Sequence, residues 1–153
     1  MMTIEEVLHD AIRGEEESYA LYTNAVRLVQ AEHIKGLLRE LAQEELGHKV
    51  SLERMLADPQ QLEWQVEELQ AAPIEDYKIG DHLLAQPLGP DATFQDVCIF
   101  ASKKEQESHE LYRSLAAQRA GQVRDLLEAM AKDELRHKNL VERWYEEVVY
   151  QEF

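Results

Sequence analysis

Apolar residues recur along this chain in alternating steps of four and three, the spacing of helices packed along a bundle seam. Four such stripes can be traced. The first runs Ile4, Leu8, Ala11, Glu15, Ser18, Tyr22, Ala25, Val29, and the second Ile34, Leu38, Leu41, Glu45, His48, Leu52, Met55. The third is Phe94, Cys98, Ala101, Glu105, Ser108, Tyr112, Leu115, and the fourth Val123, Leu127, Met130, Glu134, His137, Val141, Trp144, Val148. Each predicts a helix with one buried face, and each is interrupted by a glutamate at a core position. An unpaired carboxylate facing a core costs several kcal/mol in practice, so four matching interruptions call for a shared cause.

The chain is an internal duplication. EEESYALY (15–22) aligns with EQESHELY (105–112) at an offset of 90, and KGLLRELAQEELGHKVSLER (35–54) with RDLLEAMAKDELRHKNLVER (124–143) at an offset of 89. Each half is therefore expected to be one antiparallel helical hairpin, 3–57 and 93–150. Thr3 with Glu6 and Thr93 with Asp96 read as equivalent capped helix starts, and turns are expected near Ala31–His33 and Ala120–Gln122. Between the hairpins, residues 58–92 hold all four prolines and read as a long crossover, with QLEWQVEEL (61–69) able to form a short helix on the way. The predicted architecture is all-α: a four-helix bundle of two duplicated hairpins forming a single domain over 1–153.

Hairpin geometry brings the interruptions together. Glu15 lies about 16 residues before the first turn and Glu45 about 14 after it, so at ~1.5 Å per residue they reach nearly the same height. Glu105 and Glu134 do the same about the second turn. His48 and His137 follow Glu45 and Glu134 at i+3, on the same face one turn along. One glutamate from each of two helices and a Glu-x-x-His pair from each of the other two is the ligand set of di-iron and di-manganese carboxylate bundles. Four carboxylates neutralise two divalent ions, and oxygen-rich ligation with one imidazole per metal suits iron or manganese. The bland alternative, a buried ion-pair network, lacks a Lys or Arg in the same layer.

Other polar residues are weighed against this set. Glu6–His9 repeats the Glu-x-x-His spacing but lies off the stripe, in the first turns of a helix, and its repeat counterpart is Asp96–Ile99. Glu44 and Asp133, one residue before the paired glutamates, are expected on a solvated face. Tyr22 and Tyr112 follow the lone glutamates by seven, either as core aromatics with satisfied hydroxyls or as hydrogen-bond partners of a ligand. Ser18 and Ser108 are too short to ligate and would leave room for a small oxidant. His109 is expected at an edge or on the surface, while His33 and His82 fall in the turn and crossover. Trp64 and Trp144 read as packing residues, and Cys98 as a small buried apolar filler.

Composition narrows the function. A net charge of −15 over 153 residues disfavours nucleic acid and anionic membranes as partners. One cysteine allows neither an internal disulfide nor a thiolate cage for zinc or iron. The acidic N-terminus MMTIEEVLHD does not read as a signal peptide, and no apolar run approaches the ~18 residues of a membrane span, so a cytoplasmic location is expected.

The duplicated hairpins, with E-x6-Y on the first helix of each and E-x2-H on the second, resemble the rubrerythrin branch of the ferritin-like superfamily. By that resemblance Glu15, Glu45, His48, Glu105, Glu134 and His137 match the ligands of two iron ions, with Glu45 and Glu134 bridging; manganese or zinc are possible substitutes. It also implies reduction of hydrogen peroxide or oxygen; Tyr22 and Tyr112 are the candidate catalytic side chains. Two departures qualify the implied activity. The rubredoxin-type cysteines that feed electrons in rubrerythrins are missing, so an external donor, rubredoxin-like or a flavin reductase, is expected. Ser108 stands where rubrerythrins carry an extra glutamate, which leaves ferroxidase or iron handling as an alternative, and a metal-binding helical module without turnover as another. Cage storage is not expected, because cages usually need a fifth helix; a homodimer is.

Overall fold

The computed structural model describes residues 3–58 and 91–151, with the side chains of 149–151 excepted. Four long helices account for nearly all of them: α1 (Ile4–Ala25), α2 (Glu32–Ala57), α3 (Phe94–Ala117) and α4 (Gly121–Gln151). The predicted crossover, its short helix, Trp64 and His82 lie outside the described residues, apart from the crossover's first and last few positions.

Both predicted caps are present and equivalent. Thr3 accepts from the Glu6 amide while the Glu6 carboxylate accepts from the Thr3 amide, and Thr93 and Asp96 make the same reciprocal pair. Aspartate thus closes the second box as glutamate closes the first, satisfying donors that a helix start leaves unpaired. The first hairpin turn begins earlier than the pattern indicates. A short 3₁₀ turn, Val26–Leu28, ends α1, and α2 starts at Glu32 after an extended Val29. Val29 is consequently only half-buried, although it continues the stripe. The second turn occupies 118–120, and α4 opens on Gly121, whose φ of 72° lies in the region where a Cβ is strained.

The buried faces follow the stripes closely. On α2 every stripe residue is buried, with Ala42 beside them. On α3 the buried face is wider, taking in Val97, Ser102, Lys103 and His109. The apolar interior divides in two. One cluster, including Leu8, Leu52, Leu115 and Leu127, packs one end of the bundle; another, including Leu38, Leu41, Phe94 and Trp144, packs the other. The glutamates and histidines of the stripes fall between these clusters in sequence on all four helices, so the polar layer is walled by packed hydrocarbon on both sides.

Candidate metal centre

The six stripe residues meet. Glu15 (α1), Glu45 and His48 (α2), Glu105 (α3), Glu134 and His137 (α4) are each no more than 5% exposed. They form two overlapping sets whose ligand atoms all lie within 4.8 Å of one another: Glu15, Glu45, His48 and Glu134 in one, Glu45, Glu105, Glu134 and His137 in the other. Glu45 and Glu134 belong to both. That overlap is what two neighbouring cations sharing two carboxylates would require.

The imidazoles address the centre through Nδ1. His48 Nδ1 lies 2.6 Å from Glu134 Oε1 and 3.6 Å from Glu15, and His137 Nδ1 lies 2.7 Å from Glu45 Oε1 and 3.5 Å from Glu105. Despite these approaches, neither Nδ1 has a partner in hydrogen-bonding geometry; nor do both oxygens of Glu45 and Glu134, nor Oε2 of Glu15 and Glu105. Buried polar atoms are nearly always satisfied, so this many unpartnered donor and acceptor atoms converging on one layer fit a bound cation. Among the described residues, no Lys or Arg pairs with any of the six.

Burial, and then the charge of Glu105, raise the carboxyls of Glu45 and Glu134 well above the usual carboxylate range. Burial pushes Glu105 the same way, but contacts with Glu134, His137 and Tyr22 outweigh it and hold Glu105 low. Burial alone would lower His137, yet Glu105 and Glu45 lift it from 6.5 to about 10. His48 rises for the same reason, with Glu15 and Asp133 overcoming its burial. The layer therefore attracts cations strongly, as acids packed with little counter-charge must.

A second ring of groups fixes the first. Tyr112 donates to Glu15, and Tyr22 donates to Glu105 at 2.5 Å, each reaching across from α3 to α1 or the reverse. Burial and the surrounding carboxylates push both phenols well above their ordinary range, so they remain donors. The two readings of these tyrosines are thus one: core aromatics whose hydroxyls are satisfied by the cluster itself. On the far side of each ring, His48 Nε2 sits 3.0 Å from Asp133 Oδ2, and His137 Nε2 sits 2.5 Å from Glu44 Oε2. A carboxylate there holds the proton on Nε2 and leaves Nδ1 for a metal.

Glu44 and Asp133 are therefore corrected: they do not merely line a solvated face but span from α2 to α4 and orient the histidines. Their signal was in the repeat, which places an acid before the paired glutamate in both halves. His109 is the second correction. It is buried, not at an edge, with Nδ1 2.7 Å from the carbonyl of Ala131, and it stays outside the cluster. Its repeat counterpart is Tyr19, so the duplication gave no warning of it. Glu6 and His9 lie away from the centre, Glu6 in the cap and His9 beside Glu5 on the surface. Ser18 is buried and Ser108 half-buried. Cys98 is buried, its thiol raised to about 12 by desolvation, as expected of a filler.

Comparison with known families settles the lineage. A family model described as rubrerythrin matches residues 6–79 and 99–152, covering most of the chain and all six clustered residues. The chain belongs to the rubrerythrin family. Its bundle is accordingly a ferritin-like one, and a site compatible with iron is consistent with that membership. No curated protein and no solved structure matches the chain.

Proposed function

We propose that this rubrerythrin-family chain binds two iron ions and reduces hydrogen peroxide, or oxygen, using electrons from an external donor. The observation that carries the reading is the pair of overlapping ligand sets sharing Glu45 and Glu134. Glu15 and His48 would complete one position, Glu105 and His137 the other. A ferrous pair held there would supply the two electrons that, with two protons, convert one peroxide to two waters.

The chain's own residues provide the setting. Packed hydrocarbon on either side excludes bulk water, which strengthens every charge interaction in the layer. Tyr22 and Tyr112 hold Glu105 and Glu15 in place through their hydroxyls. Asp133 and Glu44 hold the imidazoles with Nδ1 inward. The second reading, iron oxidation or handling without peroxide turnover, is favoured by Ser108, whose side chain cannot act as the additional carboxylate of rubrerythrins. A cytoplasmic location and a homodimer belong to the proposal too; Val50, Leu126 and Leu135 are large apolar side chains left exposed on α2 and α4.

The test is to load the purified chain with ferrous iron without air and then add peroxide. The proposal expects two irons per chain, rapid oxidation with oxo-bridge absorbance in the near ultraviolet, and turnover once a reductant is supplied. Glu45→Ala and Glu134→Ala should each lose most bound iron. Unchanged iron content in both variants would refute the site; iron uptake without turnover would favour the second reading.

A further inference from the structure

The centre has pseudo-twofold symmetry. Tyr22 and Tyr112, Glu15 and Glu105, Glu45 and Glu134, His48 and His137, and Asp133 and Glu44 all exchange roles between halves. A charged position beside it breaks the pattern. The segments EELGHK (44–49) and DELRHK (133–138) align residue for residue, yet Gly47 stands in the first where Arg136 stands in the second. A single Arg136 guanidinium nitrogen lies 2.5 Å from both oxygens of Glu44, the acid behind His137. Asp133, the acid behind His48, pairs with no Lys or Arg among the described residues.

Flanking charges do not restore the balance. Lys49 and Lys138 are repeat equivalents, and each is engaged by a glutamate, Glu16 and Glu142 respectively. Lys132 is exposed, and adjacent residues on a helix do not share a face. Among the described residues, the acid behind His137 is therefore paired with an arginine and the acid behind His48 is not.

Resting on the two-metal reading above, we infer that Arg136 makes the two cation positions unequal: the Glu15–His48 position binds a divalent ion more tightly than the Glu105–His137 position. Two effects act in the same direction. An Nε2–H donated to a carboxylate makes Nδ1 a stronger ligand, and Arg136, by sharing the charge of Glu44, weakens that effect at His137 alone. Its positive charge also repels a cation at the nearer position. Arg136 is thus a positioning and tuning residue, acting through Glu44 and not on any reactant.

Gly47 supplies the reciprocal test. It is exposed, and a Cβ built there meets nothing within 4 Å, so an arginine is tolerated sterically and improves helix propensity. The full chain is titrated with cobalt(II) at low ionic strength, without air, by calorimetry and visible absorbance. Wild type should bind in two steps separated by about tenfold or more, the usual scale of such outer partners. Arg136→Gln should tighten the weaker step by about tenfold and leave the tighter one in place. Gly47→Arg should weaken the tighter step by a similar factor. Equal steps in wild type, or two steps that neither variant moves, overturn the inference while leaving the metal site standing. A wild-type chain that takes up no cobalt overturns both.

Discussion

At the residue scale, burial and the charge of Glu105 raise the carboxyls of Glu45 and Glu134 well above the usual carboxylate range, while Glu105 and Glu45 lift His137 to about 10. Linkage gives this a sign. A folded-state pKa raised above the unfolded value contributes stability that is complete below the unfolded value and lost as pH rises through the folded one. For His137 the window runs from 6.5 to about 10. His48, Glu45 and Glu134 are shifted upward too and act in the same sense, whereas Glu105, held low, loses its contribution only as pH falls. The metal-free chain should therefore unfold at lower urea at about pH 9 than at about pH 6. Metal competes with these protons, so the manganese-loaded chain should show the gain from metal growing over the same range. A metal-free midpoint that climbs with pH would contradict the upward shifts of Glu45, Glu134, His48 and His137.

At the element scale, the caps and the apolar stripes do different work. Thr3 and Thr93 start α1 and α3 at equivalent points, and the stripes then carry Glu15 and Glu105 to the same layer. Removing one cap oxygen in Thr93→Ala should cost about 1 kcal/mol in urea unfolding. Emptying part of a packed end in Leu115→Ala, where the side chain is fully buried, should cost about 2–5 kcal/mol. If the cap variant proved as costly as the core variant, the stability of α3 would not rest on its packed face. This is also the scale at which sequence was most legible. Alternation of four and three steps marks which residues face inward, and the duplication marks which of them are equivalent, so all six clustered residues could be named without coordinates. The turn after α1 was less legible, because a 3₁₀ ending and an extended Val29 leave no distinctive residue pattern. Glu44 and Asp133 escaped because a single helix's periodicity places them off its own stripe; only the approach of α2 to α4 shows that an off-stripe acid reaches the neighbouring helix's histidine.

At the scale of the whole molecule, the bundle is two apolar ends separated by one ionisable layer, built twice from one hairpin pattern. Duplication explains why the clustered residues come in pairs and why each tyrosine serves the other half's glutamate. Departures from it are then the informative positions: His109 against Tyr19, and Arg136 against Gly47. No helix among the described residues is long and apolar enough to cross a membrane. The proposal that the layer holds two cations shared by Glu45 and Glu134 is decided by crystallography on the manganese-loaded chain, with anomalous scattering used to locate the ions. Two anomalous peaks per chain are expected between α1, α2, α3 and α4, one against His48 Nδ1 and one against His137 Nδ1, with Glu45 and Glu134 touching both. A single peak, or ions held by other residues with these six still unligated, would contradict it.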